Sequence, residues 1–312
     1  MSVTDSDHQN TSYVCALNNK GIIQLQGEER VKYLQGQVTA DIESLTKTKS
    51  LLSCHCDFKG KVWSVSYVLS WEDSLLLVTH KTALTNSLAE LKKYGVFAKV
   101  DINDDTDNWQ VLGGKGIEFE EYIIEQFGSL PKGHQSTISN ECGVVISIET
   151  PSPRYLVVQQ KSTLPNITFQ SEDNDWELDD INSGLAEIRE ATSNEYVPQM
   201  LNLQALDAIN FEKGCYMGQE VVARTKYLGR NKRASFILSA RLTTEDLTGH
   251  SLEYQVGENW RPGGKILRSV SSNNHTTILA VLPIDTDISS AFRLKSNPDA
   301  IFITKTLPYT IQ

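Results

Sequence analysis

An α+β architecture is predicted: two ferredoxin-like, split β-α-β parts followed by a small C-terminal β-barrel. Three observations predict it. A strand-helix-strand unit over residues 75–102 follows two further strand-like runs. A second alternation of strand and helix occupies residues 109–159. After Arg233 helical periodicity stops, and short β-prone runs separated by Gly, Pro and Asn turns take over. The parts are assigned to residues 1–103 (completed by segments from 176–230), 104–230 and 231–312.

The elements follow in order. Residues 1–12 are polar and read as a frayed tail. Residues 21–27 are a short apolar run between glycines, a strand. A helix over 28–38 follows, because Val31, Leu34 and Val38 recur at i, i+3 and i+7. Residues 51–53 and 62–69 are strand-like, with Lys59-Gly60-Lys61 as the turn between them. Leu75-Leu76-Leu77-Val78-Thr79 is a compact strand. The helix over 82–94 carries Leu84, Leu88 and Leu91 on one face, and Gly95 stands where a C′ glycine would end it. Residues 96–102 return as a strand.

An acidic connector at 103–108 leads to a strand at 109–112, a helix at 118–127 and strands at 144–148 and 155–159. Gly113-Gly114-Lys115-Gly116 lacks the residue order of a phosphate-binding loop and reads as a plain loop. A second polar connector, 170–175, precedes Trp176, and residues 207–211 can form a strand. Barrel strands are predicted at 234–242, 266–270, 277–282 and 301–304.

Bulk composition narrows the function. Lys plus Arg number 29 and Asp plus Glu 39, so the net charge is −10. Sequence-blind nucleic-acid binding needs a basic footprint instead, which makes direct nucleic-acid contact unexpected. The cysteines, Cys15, Cys54, Cys56, Cys142 and Cys215, are odd in number and sparse, unlike a secreted disulfide scaffold. Residues 1–10 lack the basic and apolar regions of a signal peptide, and no apolar run approaches the ~18 residues a membrane helix requires. A prokaryotic cytoplasmic protein is expected.

The chemistry concentrates in Lys213-Gly214-Cys215-Tyr216-Met217-Gly218-Gln219-Glu220. Gly214 and Gly218 bracket Cys215 and permit a tight turn. A helix starting near Gly218 and running past Arg224 to Gly229 would place the thiol before a helix N-terminus. The macrodipole, together with Lys213, Arg224 and Lys226, would favour the reactive thiolate. From Phe211 to Arg233 six basic residues (Lys213, Arg224, Lys226, Arg230, Lys232, Arg233) face two acids, Glu212 and Glu220. Against this stand plainer readings: a lone Cys is usually a buried small hydrophobe, and a basic run is usually a solvated face.

The segment resembles the Lys-Gly-Cys-Tyr-x-Gly-Gln-Glu signature of the YgfZ family, which is related in fold to the aminomethyltransferase (T-protein) of glycine cleavage. The resemblance covers nearly the whole chain. It includes Gln35-Gly36-Gln37-Val38-Thr39-Ala40-Asp41, His55-Cys56-Asp57, Asn202-Leu203-Gln204-Ala205-Leu206 and Gly257-Glu258-Asn259-Trp260-Arg261. It implies three parts around a central opening that holds tetrahydrofolate or another folate, with residues 1–103 as the folate-binding part.

It further implies an accessory role for iron–sulfur enzymes, among them a tRNA methylthiolating enzyme, so that tRNA modification is served indirectly. Cys215 is then the reactive thiol, with Lys213, Gly214, Tyr216, Gly218, Gln219, Glu220 and Arg224 as its surroundings. Of two aromatic positions the family places at the folate, one matches Trp176, whose indole would stack on a pterin or aminobenzoyl ring. The other falls at Lys20, which is not aromatic.

Other motifs carry less. Cys54-His55-Cys56 lacks the further ligands a zinc site needs, and in a strand its two thiols share one face while His55 points away. No permanently bound metal is expected. Asp179 and Asp180 are consecutive and do not face one another on a helix. Two alternatives to the accessory factor remain. One is a folate-dependent aminomethyl transferase, although Arg154-Tyr155-Leu156-Val157-Val158 does not show the Gly-Tyr-Thr-Gly-Glu-like segment that reading expects. The other is a direct tRNA-binding module.

Overall fold

The computed structural model describes residues 12–165, 169, 172–229, 231–287 and 289–311. Most of the predicted tail, part of the 170–175 connector and Arg230 lie outside the described residues. In chain order the first elements are β1 (Tyr13–Ala16), β2 (Lys20–Gln26), α1 (Arg30–Gln35), β3 (Leu51–Cys56), β4 (Val62–Trp71), β5 (Ser74–His80), α2 (Lys81–Gly95) and β6 (Asp101–Asp104). Next come β7 (Trp109–Lys115), α3 (Ile117–Phe127), β8 (Thr137–Asn140), β9 (Gly143–Ile148), β10 (Arg154–Gln160), α4 (Asn174–Asn182) and α5 (Gln219–Tyr227). The last are β11 (Arg233–Ala240), β12 (Ser251–Val256), β13 (Asn259–Ser272), β14 (His275–Pro283), β15 (Ala291–Leu294) and β16 (Asn297–Lys305).

The chain is α+β, with two antiparallel sheets and a six-stranded closed barrel. The first sheet has the order β3-β4-β5-β2-β6 and the second β1-β7-β10-β9-β8. Apolar alternation explains their stacking. In β5, Leu76 and Val78 enter a core shared with Ile146, Leu156 and Val158 of the second sheet. Their neighbours Leu75 and Leu77 point the other way, onto Leu84 and Leu91 of α2. In β10, Tyr155 and Val157 likewise pack on Phe119 and Ile123 of α3. Both faces of each central strand are covered, so these strands read as continuous apolar runs.

In the first sheet β5, α2 and β6 make a split β-α-β unit, with β2 between the two strands. The second sheet is built differently: α3 leads from β7 to β8 at the far edge, with β10 and β9 between. The first strand, β1, pairs with β7 and not with β2.

Several local expectations are corrected. The first helix spans only Arg30–Gln35. Gly95 is the last residue of α2 and is followed by Val96 in right-handed helical geometry. Its missing Cβ makes room for Ile102, whose Cδ1 would lie 2.9 Å away, and supplies no left-handed cap. The returning strand begins at Asp101, not at 96; Val96 and Phe97 are exposed.

Gly113 and Gly114 are part of strand β7, not a loop, because Trp176 and Phe119 close in where side chains would be. Residues 207–211 form no strand. Asp207 has φ 54° and breaks the extension, and Asn210 Oδ1 accepts from the backbone N–H groups of Glu212 and Lys213, curling the chain into a turn. Two barrel strands, β12 and β15, are short and escape the sequence pattern. No helix among the described residues is long and apolar enough to cross a membrane.

Candidate functional site

Helix α4 stands where both sheets and the barrel meet, and it buries charge there. Glu177, Asp179 and Asp180 are all buried. Asp179 and Asp180, successive on the helix, diverge to different partners, whereas Glu177 and Asp180, three apart, share Arg268. Asp179 accepts from Tyr13 Oη at 2.8 Å and Lys115 Nζ at 2.9 Å, both in the second sheet. Asp180 pairs with Arg154 of β10 and Arg268 of β13, each at 2.8 Å. Glu177 takes Arg268 at 2.6 Å and Arg189 at 2.7 Å.

Arg268 is fully buried and sits at a bulge in β13, the device by which a strand re-aims one side chain. Burial pushes the Asp180 carboxyl up, but the guanidiniums of Arg268 and Arg154 outweigh it and hold it below its ordinary value. For Glu187, Lys20, Arg268, His80 and Arg189 together overcome burial and leave the carboxyl well below its usual range.

Beside this network lies a cleft with about 390 Å³ of empty space, counting its open mouth. The first sheet contributes Leu52, Tyr67 and Thr79, the second Leu156, helix α4 Trp176 and the barrel Arg268. A second cavity of about 300 Å³ adjoins it, sharing Leu52, Tyr67 and Leu185 and reaching Arg154 and His134. Trp176 and Lys20, 156 positions apart, line the same cleft. Lys20 is ion-paired with Glu187, another lining residue.

Trp176 is only 2% exposed. The Arg154 guanidinium lies 4.4 Å from its ring centroid, and Gly113 comes so close that a Cβ there would be 2.4 Å from Cε3. The indole therefore has no open stacking face, and its Nε1–H is buried without an acceptor among the described residues.

Cys215 lies elsewhere, exposed on the loop before α5. The loop is anchored from both sides. Lys213 Nζ donates to the carbonyls of Gln35, Val38 and Ala40 at 2.7, 2.9 and 2.6 Å. Burial lowers this amine to about 8, while Asp41 and Glu43 pull it back up. Three carbonyl acceptors require all three protons of the ammonium. Met217 N–H donates to Gly36 O at 3.0 Å, and Tyr216 is buried.

Gly218 has φ +80°, and a Cβ on it would lie 2.5 Å from Asp57 O, so only glycine seats the loop on the β3–β4 turn. Gly214 has nothing within 4 Å of where its Cβ would be, so packing does not account for it. Gln219 opens α5, and Glu220 pairs with Arg224 one turn on. Lys213 and Arg224 thus have internal partners. Lys226 lies over the Phe211 ring at 3.7 Å.

The Cys54–Cys56 pair sits buried in β3 with its sulfurs 3.9 Å apart, while His55 turns to Ser87 of α2 at 2.9 Å. Cys54 and then burial push the Cys56 thiol well above its usual value, and burial lowers His55 to about 4. These are core groups. Among the described residues no cluster of three or more His, Cys, Asp or Glu could hold a metal.

Comparison with known proteins decides the family. The tRNA-modifying protein YgfZ of Colwellia psychrerythraea is 38% identical over 306 residues, covering 96% of this chain and 94% of that protein. Its namesake from Yersinia enterocolitica is 35% identical, over 95% of this chain and 92% of its own length. The chain belongs to the YgfZ family. Residues 231–297 match the family model described as the YgfZ beta-barrel domain. In fold this chain is similar to the glycine cleavage aminomethyltransferase T of Bartonella henselae, with a TM-score of 0.75 over 98% of this chain and 88% of that one, at 12% identity.

Sequence reasoning does not find Arg154, Glu177, Asp180, Glu187 or Arg268. A weak signal exists, since residues 172–180 carry six acids and no base. The cations that answer them are remote in sequence.

Proposed function

We propose that this chain is a folate-binding accessory factor for the synthesis or repair of iron–sulfur enzymes, needed indirectly for tRNA methylthiolation. Tetrahydrofolate would occupy the central cleft, and Cys215 would act as the reactive thiol on a separate face. The observation that carries the reading is the cleft itself, lined from both sheets, α4 and the barrel in a fold similar to aminomethyltransferase T.

The lining suits a polar heterocycle joined to an aromatic ring. Leu52, Tyr67 and Leu156 supply apolar walls, while Lys20, Glu187 and the unpartnered Trp176 Nε1–H supply hydrogen-bonding groups. When bound, tetrahydrofolate supplies a carrier of one-carbon units. The chain's own residues hold the ring edge and exclude water from it. Lys213, Tyr216 and Gly218 position the Cys215 loop. An exposed thiol can serve a client as nucleophile, redox partner or transient iron ligand.

Calorimetry with tetrahydrofolate on the wild type and on Trp176→Phe tests the folate half. Micromolar binding that weakens severalfold without the indole N–H is expected, the worth of one hydrogen bond. No binding by the wild type would end the folate reading. The similarity to aminomethyltransferase T favours a second reading, aminomethyl transfer to folate. Formation of methylenetetrahydrofolate from an aminomethyl donor would replace the accessory role with that activity.

A further inference from the structure

Lys20 sits at the start of β2, where the chain crosses from the second sheet to the first. Its side chain is 11% exposed and lines the central cleft. One ammonium proton is donated to Glu187 Oε2; no other acceptor for this amine is found among the described residues. An ammonium has three donors, so two remain available. Glu187 Oε2 receives Lys20, and Oε1 receives Arg189 Nε at 3.3 Å. A carboxylate has about four acceptor sites, so Glu187 also keeps spare capacity. Within hydrogen-bonding distance of each other, the cleft therefore presents a cationic donor and an anionic acceptor, both unsaturated.

This juxtaposition has a complement in heterocycle chemistry. A lactam edge places a ring N–H donor directly beside a C=O acceptor. We propose that the Lys20–Glu187 pair reads the lactam edge of a 4-oxo-pteridine, with Glu187 accepting from the ring N–H and Lys20 donating to the ring carbonyl. The inference rests on the folate reading and makes it specific: the ring is held by its edge and not by stacking. That agrees with Trp176, whose ring is covered by Arg154 and Gly113. A 4-amino ring reverses both polarities. Its unprotonated ring nitrogen would face the carboxylate and its amino group the ammonium, so the pair selects by repulsion as well as by attraction.

The test is calorimetry at pH 8 with tetrahydrofolate and its 4-amino counterpart, tetrahydroaminopterin, on the wild type, Lys20→Met, Lys20→Arg and Glu187→Gln. Thermal unfolding without ligand reports whether each variant folds. The wild type should prefer the 4-oxo ligand by about 10- to 100-fold, the worth of a hydrogen bond to a charged group. Lys20→Met and Glu187→Gln should each lower that preference, and Lys20→Arg, which keeps a cationic donor, should retain most of it. Equal binding of the two ligands by the wild type, or an undiminished preference in folded Lys20→Met or Glu187→Gln, overturns the inference and leaves the folate reading standing. Failure of the wild type to bind either ligand removes the folate reading and the inference together.

Discussion

The centre of the molecule and the Cys215 loop handle charge in opposite ways. At the centre, Arg154 and Arg268 are fully buried against Asp180 and Glu177, and the network joins the second sheet, α4 and the barrel. At the loop, Arg224 meets Glu220 in solvent and Lys213 is tied to backbone carbonyls. Exposed ion pairs contribute little, whereas breaking a buried one leaves an uncompensated charge. The lesson is that the centre holds the fold's geometry while the loop leaves Cys215 exposed. Substitutions at the centre should therefore move stability, whereas substitutions of the exposed loop residues Gly214 and Cys215 should leave it nearly unchanged and show in function.

The largest expected effect comes from Arg268→Met. It strips Glu177 and Asp180 of their shared barrel-side cation, although Arg189 and Arg154 remain. Removing one partner of a buried pair typically costs about 3–5 kcal/mol. A drop of that order in the urea-unfolding free energy is expected, against less than about 0.5 kcal/mol for Arg224→Met on the surface. Similar losses at the two positions would break the contrast.

Acid should act in two stages. Burial lowers His55, packed against Ser87 of α2, and His80, near Glu187 and Lys20, from the ordinary 6.5 to about 4. Between those values the unfolded chain takes up protons that the folded chain does not, so stability falls as pH drops from about 6.5 towards 4. For His55 the drop corresponds to at most roughly 3 kcal/mol. Asp180 and Glu187 follow, since their folded values are depressed. Their contribution is present above the unfolded carboxylate range near 4 and is lost as pH falls through the folded values. Urea titrations from pH 8 to 3 should show both stages, and His55→Asn should shrink the upper one to the share of His80 without touching the lower. A single stage below pH 4 would mean that neither histidine is held neutral.

Much of this architecture is legible in the amino-acid sequence. The runs Leu75-Leu76-Leu77 and Leu156-Val157-Val158 announce strands covered on both faces, and α2, α3 and α5 follow from apolar spacing and glycines. The Cys215 loop is legible because its residues are consecutive. The cleft is not, because its charged wall is assembled from Lys20, Arg154, Asp180, Glu187 and Arg268, which only the packing of three units brings together. Arg154 looks like an ordinary strand start, and Gly113 looks like a loop because nothing local announces that Trp176 must fit against it. Trp176 and Lys20 stand out by resemblance alone. That they line one cleft follows from topology, and that the Trp176 ring is covered follows from its neighbours.

The smallest effect is also the sharpest, because it compares two glycines four residues apart. Gly218 needs its left-handed backbone and its contact with Asp57, so Gly218→Ala should lose about 1–3 kcal/mol. Gly214 has no left-handed backbone to preserve, and its added Cβ would meet nothing within 4 Å, so Gly214→Ala should change stability by less than about 0.5 kcal/mol. Cys215→Ala, at an exposed position, should be equally silent in unfolding. Each of the three can then be scored in cells for tRNA methylthiolation. Loss of that modification in Cys215→Ala and Gly214→Ala, with unfolding unchanged, would show that the loop faces a partner that must approach its backbone closely. Retained modification in both would leave Gly214 without a role and reduce Cys215 to an ordinary surface thiol.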